Sequence, residues 1–187
     1  MRRGALFPLA TLGFIVLLSL LLTRDPTPPE PDTTEPPEER PDFFLEGFTM
    51  VDFDEQGQRR AALHGHTGEH FPGRGELEIV EPDLRMRSRD GATWEARAPF
   101  GIAEREGAEV RLFDEVDIHR PAQGTRPALD IATRNLLVDL RAGEARTTEA
   151  VTAREPAGTL RGTGMTLDYR TDRLRLHADV RGEYGLH

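Results

Sequence analysis

Residues 160–176 read Leu-Arg-Gly-Thr-Gly-Met-Thr-Leu-Asp-Tyr-Arg-Thr-Asp-Arg-Leu-Arg-Leu. Apolar side chains fall on Met165, Leu167 and Tyr169, and again on Leu174 and Leu176, with polar residues between them. A period of two puts one set of side chains on a buried face and the other in water. Thr171-Asp172, between the two runs, is turn chemistry. The stretch therefore reads as a β-hairpin, and its pattern recurs: Leu77-x-Ile79, Leu84-x-Met86, Val110-x-Leu112, Val116-x-Ile118, Leu129-x-Ile131 and Leu136-x-Val138-x-Leu140. Turn residues separate these runs at Asp54-Glu55-Gln56-Gly57, Pro72-Gly73-Arg74-Gly75, Arg89-Asp90-Gly91, Glu106-Gly107 and Arg141-Ala142-Gly143. From Phe43 onward no dozen residues keep a helical stripe. A strand roughly every 8 to 12 residues predicts an all-β antiparallel sandwich, jelly roll or open barrel.

A looser repeat sits inside this pattern. Val110-Arg-Leu112-x3-Val116 matches Leu174-Arg-Leu176-x3-Val180, with Leu77-x-Ile79-x4-Leu84 as a third copy. Hairpins repeated in this way stack edge to edge into an elongated sheet with a continuous apolar groove. The polar strand positions are heavily charged, with Glu78, Arg85, Arg87, Arg111, Arg173 and Arg175 among them. They read as a solvated outer face that discourages edge-to-edge aggregation, with headgroup binding by some of the arginines as the sharper alternative.

Upstream the chain changes character. Ala5 to Leu22 carry no charge, and as a helix they span roughly 27 Å, close to the bilayer core. Arg2 and Arg3 precede the run, so the positive-inside bias predicts residues 1–4 in the cytoplasm, an anchor over 5–22 and the rest outside. No Ala-x-Ala site follows, so retention of the helix is expected over cleavage as a signal peptide. Residues 23–42 form a linker, and from Arg24 to Asp42 it holds seven prolines and seven acids. Such a segment buries no core, and extended it reaches about 59 Å at ~3.1 Å per residue. Residues 43–187 remain for one folded domain.

Composition excludes several functions. The net charge of −9 argues against a nucleic-acid partner. Cysteine is absent, which removes disulfides, Cys-zinc sites, thiol catalysis and a lipoprotein anchor. All 24 Lys+Arg residues are arginine, so a lysine Schiff base is impossible. His64-x-His66-x3-His70 lacks a completing acid or cysteine at a familiar spacing, and no metal or other cofactor is expected. Acid pairs such as Asp114 and Asp117 are inevitable among 33 acids, so no catalytic residue is assigned and the protein is not expected to be an enzyme.

The architecture and a series of local runs resemble the LptC family. The runs are Val51-Asp52-Phe53-Asp54-Glu55-Gln56-Gly57, Thr93-Trp94-Glu95-Ala96-Arg97-Ala98, Val110-Arg-Leu-x3-Val116-Asp-Ile118, and the hairpin quoted above. Asp114 and Ala178 stand where family members often carry Gly two residues after the second Leu of the repeat, a departure that bears on a local bulge or tight turn. The resemblance implies an open antiparallel β-jellyroll on the periplasmic side of the inner membrane. It implies lipopolysaccharide taken from the LptB/LptF/LptG ABC transporter, sheltered in an apolar groove and passed to LptA, with ATP spent on the partner. Candidates for the lipid-contacting interior are Phe48, Met50, Leu77, Ile79, Phe100, Ile102, Val110, Leu112, Val116, Ile118, Leu136, Val138, Leu140, Leu167, Leu174 and Leu176. Trp94, the single tryptophan, reads as core. On the first strand Phe43, Leu45, Val51 and Phe53 fall on the face opposite Phe48 and Met50. Candidate partner contacts are Phe43 and Phe53 at the N-terminal edge, facing the transporter, and Gly164, Met165, Leu176, Val180 and Tyr184 at the C-terminal edge, facing LptA. The alternatives are a membrane-anchored β-sandwich scaffold, with its interior closed by side chains, and an envelope-glycan-binding module or glycan enzyme, with polar groups converging in a cleft.

Overall fold

Eleven strands make one antiparallel sheet in the computed structural model, which describes residues 40–104 and 107–185. The expected cytoplasmic tail, the anchor, nearly all of the linker and Glu106 of one expected turn lie outside the described residues. The strands are β1 (Phe43–Phe53), β2 (Arg59–Phe71), β3 (Glu76–Val80), β4 (Asp83–Arg87), β5 (Thr93–Arg97), β6 (Phe100–Glu104), β7 (Glu109–Arg120), β8 (Leu129–Asp139), β9 (Glu144–Glu155), β10 (Gly158–Asp168) and β11 (Arg173–Tyr184).

The topology is a meander with one elaboration. From β7 to β11 each strand pairs with the next. Between β2 and β7 the ribbon splits: β4 and β5 bridge one half, and β3 and β6 bridge the other. β1 pairs only with β2, and β11 only with β10, so among the described residues the sheet has two terminal edges. The alternation seen in the sequence is the alternation of burial. Leu77, Ile79, Leu84, Met86, Val110, Leu112, Val116, Ile118, Leu136 and Val138 are all buried on the inner face. Burying one such side chain stabilises by roughly 1.5–3 kcal/mol. On the outer face Arg85 and Arg97 pair with Asp83 and Glu95 across β4 and β5, and Arg111 pairs with Glu104. Such exposed pairs contribute at most about 1 kcal/mol each, so this face keeps the sheet soluble more than it holds it together.

The sheet rolls because a line of left-handed residues creases it. Asp114 (φ 63°) on β7, Asn135 (φ 46°) on β8, Gly164 (φ 70°) on β10 and Asp179 (φ 53°) on β11 coincide with register shifts in these ladders. Asp and Asn tolerate this region because their short polar side chains bond locally; the Asp114 amide donates to Asn135 Oδ1 at 3.2 Å. Asp114 therefore makes the bend that the family's Gly would make, and at the second place the bend falls on Asp179, one residue beyond Ala178. Beyond the crease the β10–β11 turn folds over the inner face. Arg89 donates its amide to the Arg170 carbonyl at 3.2 Å, joining the β4–β5 and β10–β11 turns and closing the roll.

Two parity expectations are corrected. Gly47 (φ 53°) flips β1, so Leu45 packs on the core side with Phe48 and Met50 instead of opposite them. On β6 it is Gly101 and Ala103 that are buried, so Phe100 and Ile102 face outward, with Phe100 against Phe113 at 5.7 Å. The reason is space. A Cβ at Gly101 would lie 3.0 Å from the Arg111 carbonyl and 3.0 Å from Pro82, leaving no room inward for a Phe at this strand's parity.

Candidate functional site

The inner face is not one continuous trough. Its middle is filled: Ile79, Leu112, Val116, Ile118, Leu136 and Val138 are at most 1 % exposed. Space opens at the two ends. A recess of about 90 Å³ lies beside β1, among Met50, Leu63, Val110 and Leu140. A larger trough of about 400 Å³ runs under β11, walled by Leu129, Leu160, Leu167, Leu174, Leu176 and Val180. Its floor carries Trp94 and Arg120, and its rim carries Glu155 and Tyr184. The crease builds this trough by swinging Leu174 and Leu176 over the ends of β7, β8 and β9.

The sequence candidates sort accordingly. Leu167, Leu174 and Leu176 line the large trough. Met50, Val110 and Leu140 line the small recess, with Phe48 packed against the core nearby. Leu77, Ile79, Leu112, Val116, Ile118, Leu136 and Val138 are the packed middle. Phe43 and Phe53 stand at the two ends of β1, exposed, with Phe43 stacked on His70 at 4.6 Å. Val180 and Tyr184 are exposed on β11. Gly164 and Met165 are not at an edge: β10 is flanked by β9 and β11, and Met165 is fully buried. Met165 lies on the inner parity with Leu167, which is why it sits in the core. Of the histidines, His64 meets Thr49 at 3.2 Å and His70 meets Asp42 at 2.7 Å. Among the described residues no cluster of three His, Cys, Asp or Glu could hold a metal.

Arg120 was not among the candidates. It is 2 % exposed, donates from Nη1 to Asp172 at 2.6 Å and from Nη2 to the Pro127 carbonyl at 2.8 Å, and lies 5.5 Å over the Trp94 ring. The signal was present in the sequence: Val116-x-Ile118-x-Arg120 continues the buried parity, and an arginine there must be paired.

A clasp surrounds this floor. Arg126 reaches Asp90 at 2.7 Å and Asp172 at 3.2 Å, tying the β7–β8 loop to the β4–β5 and β10–β11 turns. Hydrogen bonds from the Ser88 hydroxyl, then from Arg126 and the Ala92 amide, hold the Asp90 carboxyl down at about 2, from an ordinary 3.8. A carboxyl depressed on folding contributes stability that is complete above its unfolded value and is lost as pH falls through its folded value. The clasp should therefore loosen between about pH 3.8 and about pH 2. Asp90→Asn should lower the melting temperature at pH 7, where the contribution is complete, and flatten the acid limb so that variant and wild type converge towards pH 2; an unaltered limb would mean that Asp90 is not the linked group.

These features define a class: a rolled antiparallel β-sheet with free terminal strands, whose apolar interior comes to the surface beneath one of them. Over residues 9–185 the chain matches the family of lipopolysaccharide-assembly, LptC-related proteins, and it belongs to that family. Its general role is therefore in lipopolysaccharide transport. Among solved structures, LptH of Pseudomonas aeruginosa, the LptA-homologous periplasmic component of the lipopolysaccharide transport device, shares the fold. It aligns with a TM-score of 0.54 at 6 % identity, covering 67 % of this chain and 95 % of that one. No curated protein sequence matches.

Proposed function

We propose that this chain is the anchored intermediate of the export route. It is held in the inner membrane by residues 5–22, with residues 43–187 in the periplasm. It accepts lipopolysaccharide from the LptB/LptF/LptG transporter along the β1 edge and delivers it to LptA along the β11 edge. The observation that carries the reading is the trough of about 400 Å³ under β11, apolar on its walls and next to a strand edge left unpaired among the described residues. An acyl chain entering it gains about 0.8 kcal/mol per buried methylene. The free backbone edge beside it can add a partner's strand, with main-chain hydrogen bonds supplying affinity. Family membership and the fold shared with LptH support the same reading.

The packed middle favours a second reading, in which the protein is a scaffold that joins sheets edge to edge and never holds lipid. Under either reading the C-terminal edge is the docking strand, and a cut tests it. Truncation before Gly164 would also remove Met165, Leu167 and Tyr169, all nearly inaccessible, so it tests the core instead. A chain ending at Leu176 keeps these residues and the hairpin, but loses the edge that carries Val180 and Tyr184. It should lose capture of purified LptA while retaining the transporter complex. Retention of LptA by the shortened chain would refute the polarity.

A further inference from the structure

Two hydrogen-bond donors of residues that line the large trough have no protein partner among the described residues. Trp94 Nε1 and Arg120 Nε are buried and unsatisfied, and both residues line the same space. Trp94 is fully buried and Arg120 is 2 % exposed. The guanidinium cannot turn to find an acceptor, because Nη1 is held by Asp172 and Nη2 by the Pro127 carbonyl. The other two unsatisfied buried atoms among the described residues, Asp83 Oδ1 and Glu104 Oε1, belong to carboxylates engaged with arginines on the outer face. An unmade hydrogen bond at a buried donor is a free-energy cost that a ligand oxygen removes on binding.

We infer that the trough floor is a subsite for an acyl carbonyl. Trp94 Nε1–H and Arg120 Nε–H donate to the ester or amide oxygen of an acylated ligand, whose chain lies along Leu160, Leu174 and Leu176. This rests on the carrier reading above and specifies which atom of the lipid it recognises. Charge selects a neutral oxygen over a phosphate: Arg120 is matched by Asp172, and Glu155 at the rim adds a further negative charge. An acyl carbonyl is neutral and lies where an apolar chain joins a polar head, which is the arrangement of walls, floor and rim here.

A matched pair of soluble probes tests the subsite: 6-O-octanoyl glucose, which has the carbonyl, and octyl glucoside, which lacks it. Trp94 is the single tryptophan of the chain, so its fluorescence reports occupancy of the trough directly. Titrations of the full chain should show tighter binding of the octanoyl ester. Arg120→Lys keeps the charge facing Asp172 but has no Nε–H, and Trp94→Phe keeps a ring but has no Nε1–H. By calorimetry each should weaken the ester by about tenfold, as loss of one such bond implies, and leave octyl glucoside unchanged. Near-UV circular dichroism of Arg120→Lys establishes folding, and Trp94→Phe gives the second reading should that variant not fold. Equal weakening of both probes, or of neither, overturns the subsite and leaves the carrier reading intact if lipopolysaccharide itself still quenches Trp94. Wild-type protein that binds neither probe nor lipopolysaccharide overturns both.

Discussion

Gly158→Val should release the end of β11 and with it the capture of LptA. Gly158 opens β10, opposite Tyr184. A Cβ there would lie 2.4 Å from the Glu183 carbonyl oxygen and 3.1 Å from the Tyr184 Cα. Both are backbone atoms, so no side-chain rotation absorbs the clash. Overpacking of this kind costs about 1–3 kcal/mol where the structure cannot yield. Here it can yield, because only the four terminal pairs, Gly158↔Tyr184 to Arg161↔Arg181, precede the register shift. The strand end should fray while Met165, Leu167 and Tyr169, beyond that shift, remain packed. Amide exchange over residues 181–184 should accelerate at least tenfold for each ~1.4 kcal/mol of lost pairing, and LptA capture should fall in step. Gly73→Val is the control, since a Cβ at Gly73 meets nothing within 4 Å. Lost protection with wild-type capture in Gly158→Val would show that this edge does not dock LptA, and wild-type protection would show that it does not fray.

Much of the architecture was legible because a one-sided sheet writes its burial into alternation. The runs at Leu136-x-Val138-x-Leu140 and Met165-x-Leu167-x-Tyr169 gave strand, face and core together, and every one of those side chains is buried. What escaped the pattern were places where the backbone departs from the pleat. Gly47 reverses the face of β1, so Leu45 joins Phe48 by a step that a strict period of two cannot express. Asn135 and Asp179 crease the roll in a conformation that their side chains permit but do not require. On β6 large residues face out because a neighbouring backbone occupies the inside, a fact of packing held by Pro82, Arg111 and Leu112 and not by β6 itself.

The candidate site was legible in part for the same reason. Leu167, Leu174 and Leu176 were readable as inward residues, yet nothing local distinguishes trough wall from packed middle, where Ile79 and Val138 sit. That distinction depends on how far the crease swings β11 across the sheet. Arg120 was the overlooked residue, although its parity with Val116 and Ile118 placed it inside.

The central claim is that lipid acyl chains occupy the trough under β11. The direct measurement is photo-crosslinking from two positions on that strand in membranes containing the transporter. Leu176 lines the trough and packs against the core, whereas Arg175, its neighbour, is exposed on the opposite parity. A photoreactive side chain at Leu176 should capture lipopolysaccharide when ATP is supplied and not without it, and one at Arg175 should capture none in either case. Crosslinkers at Ile79 and Val138 should stay silent unless the packed middle opens during transport. Capture at Arg175 equal to that at Leu176, or none at Leu176 with ATP present, would contradict the account.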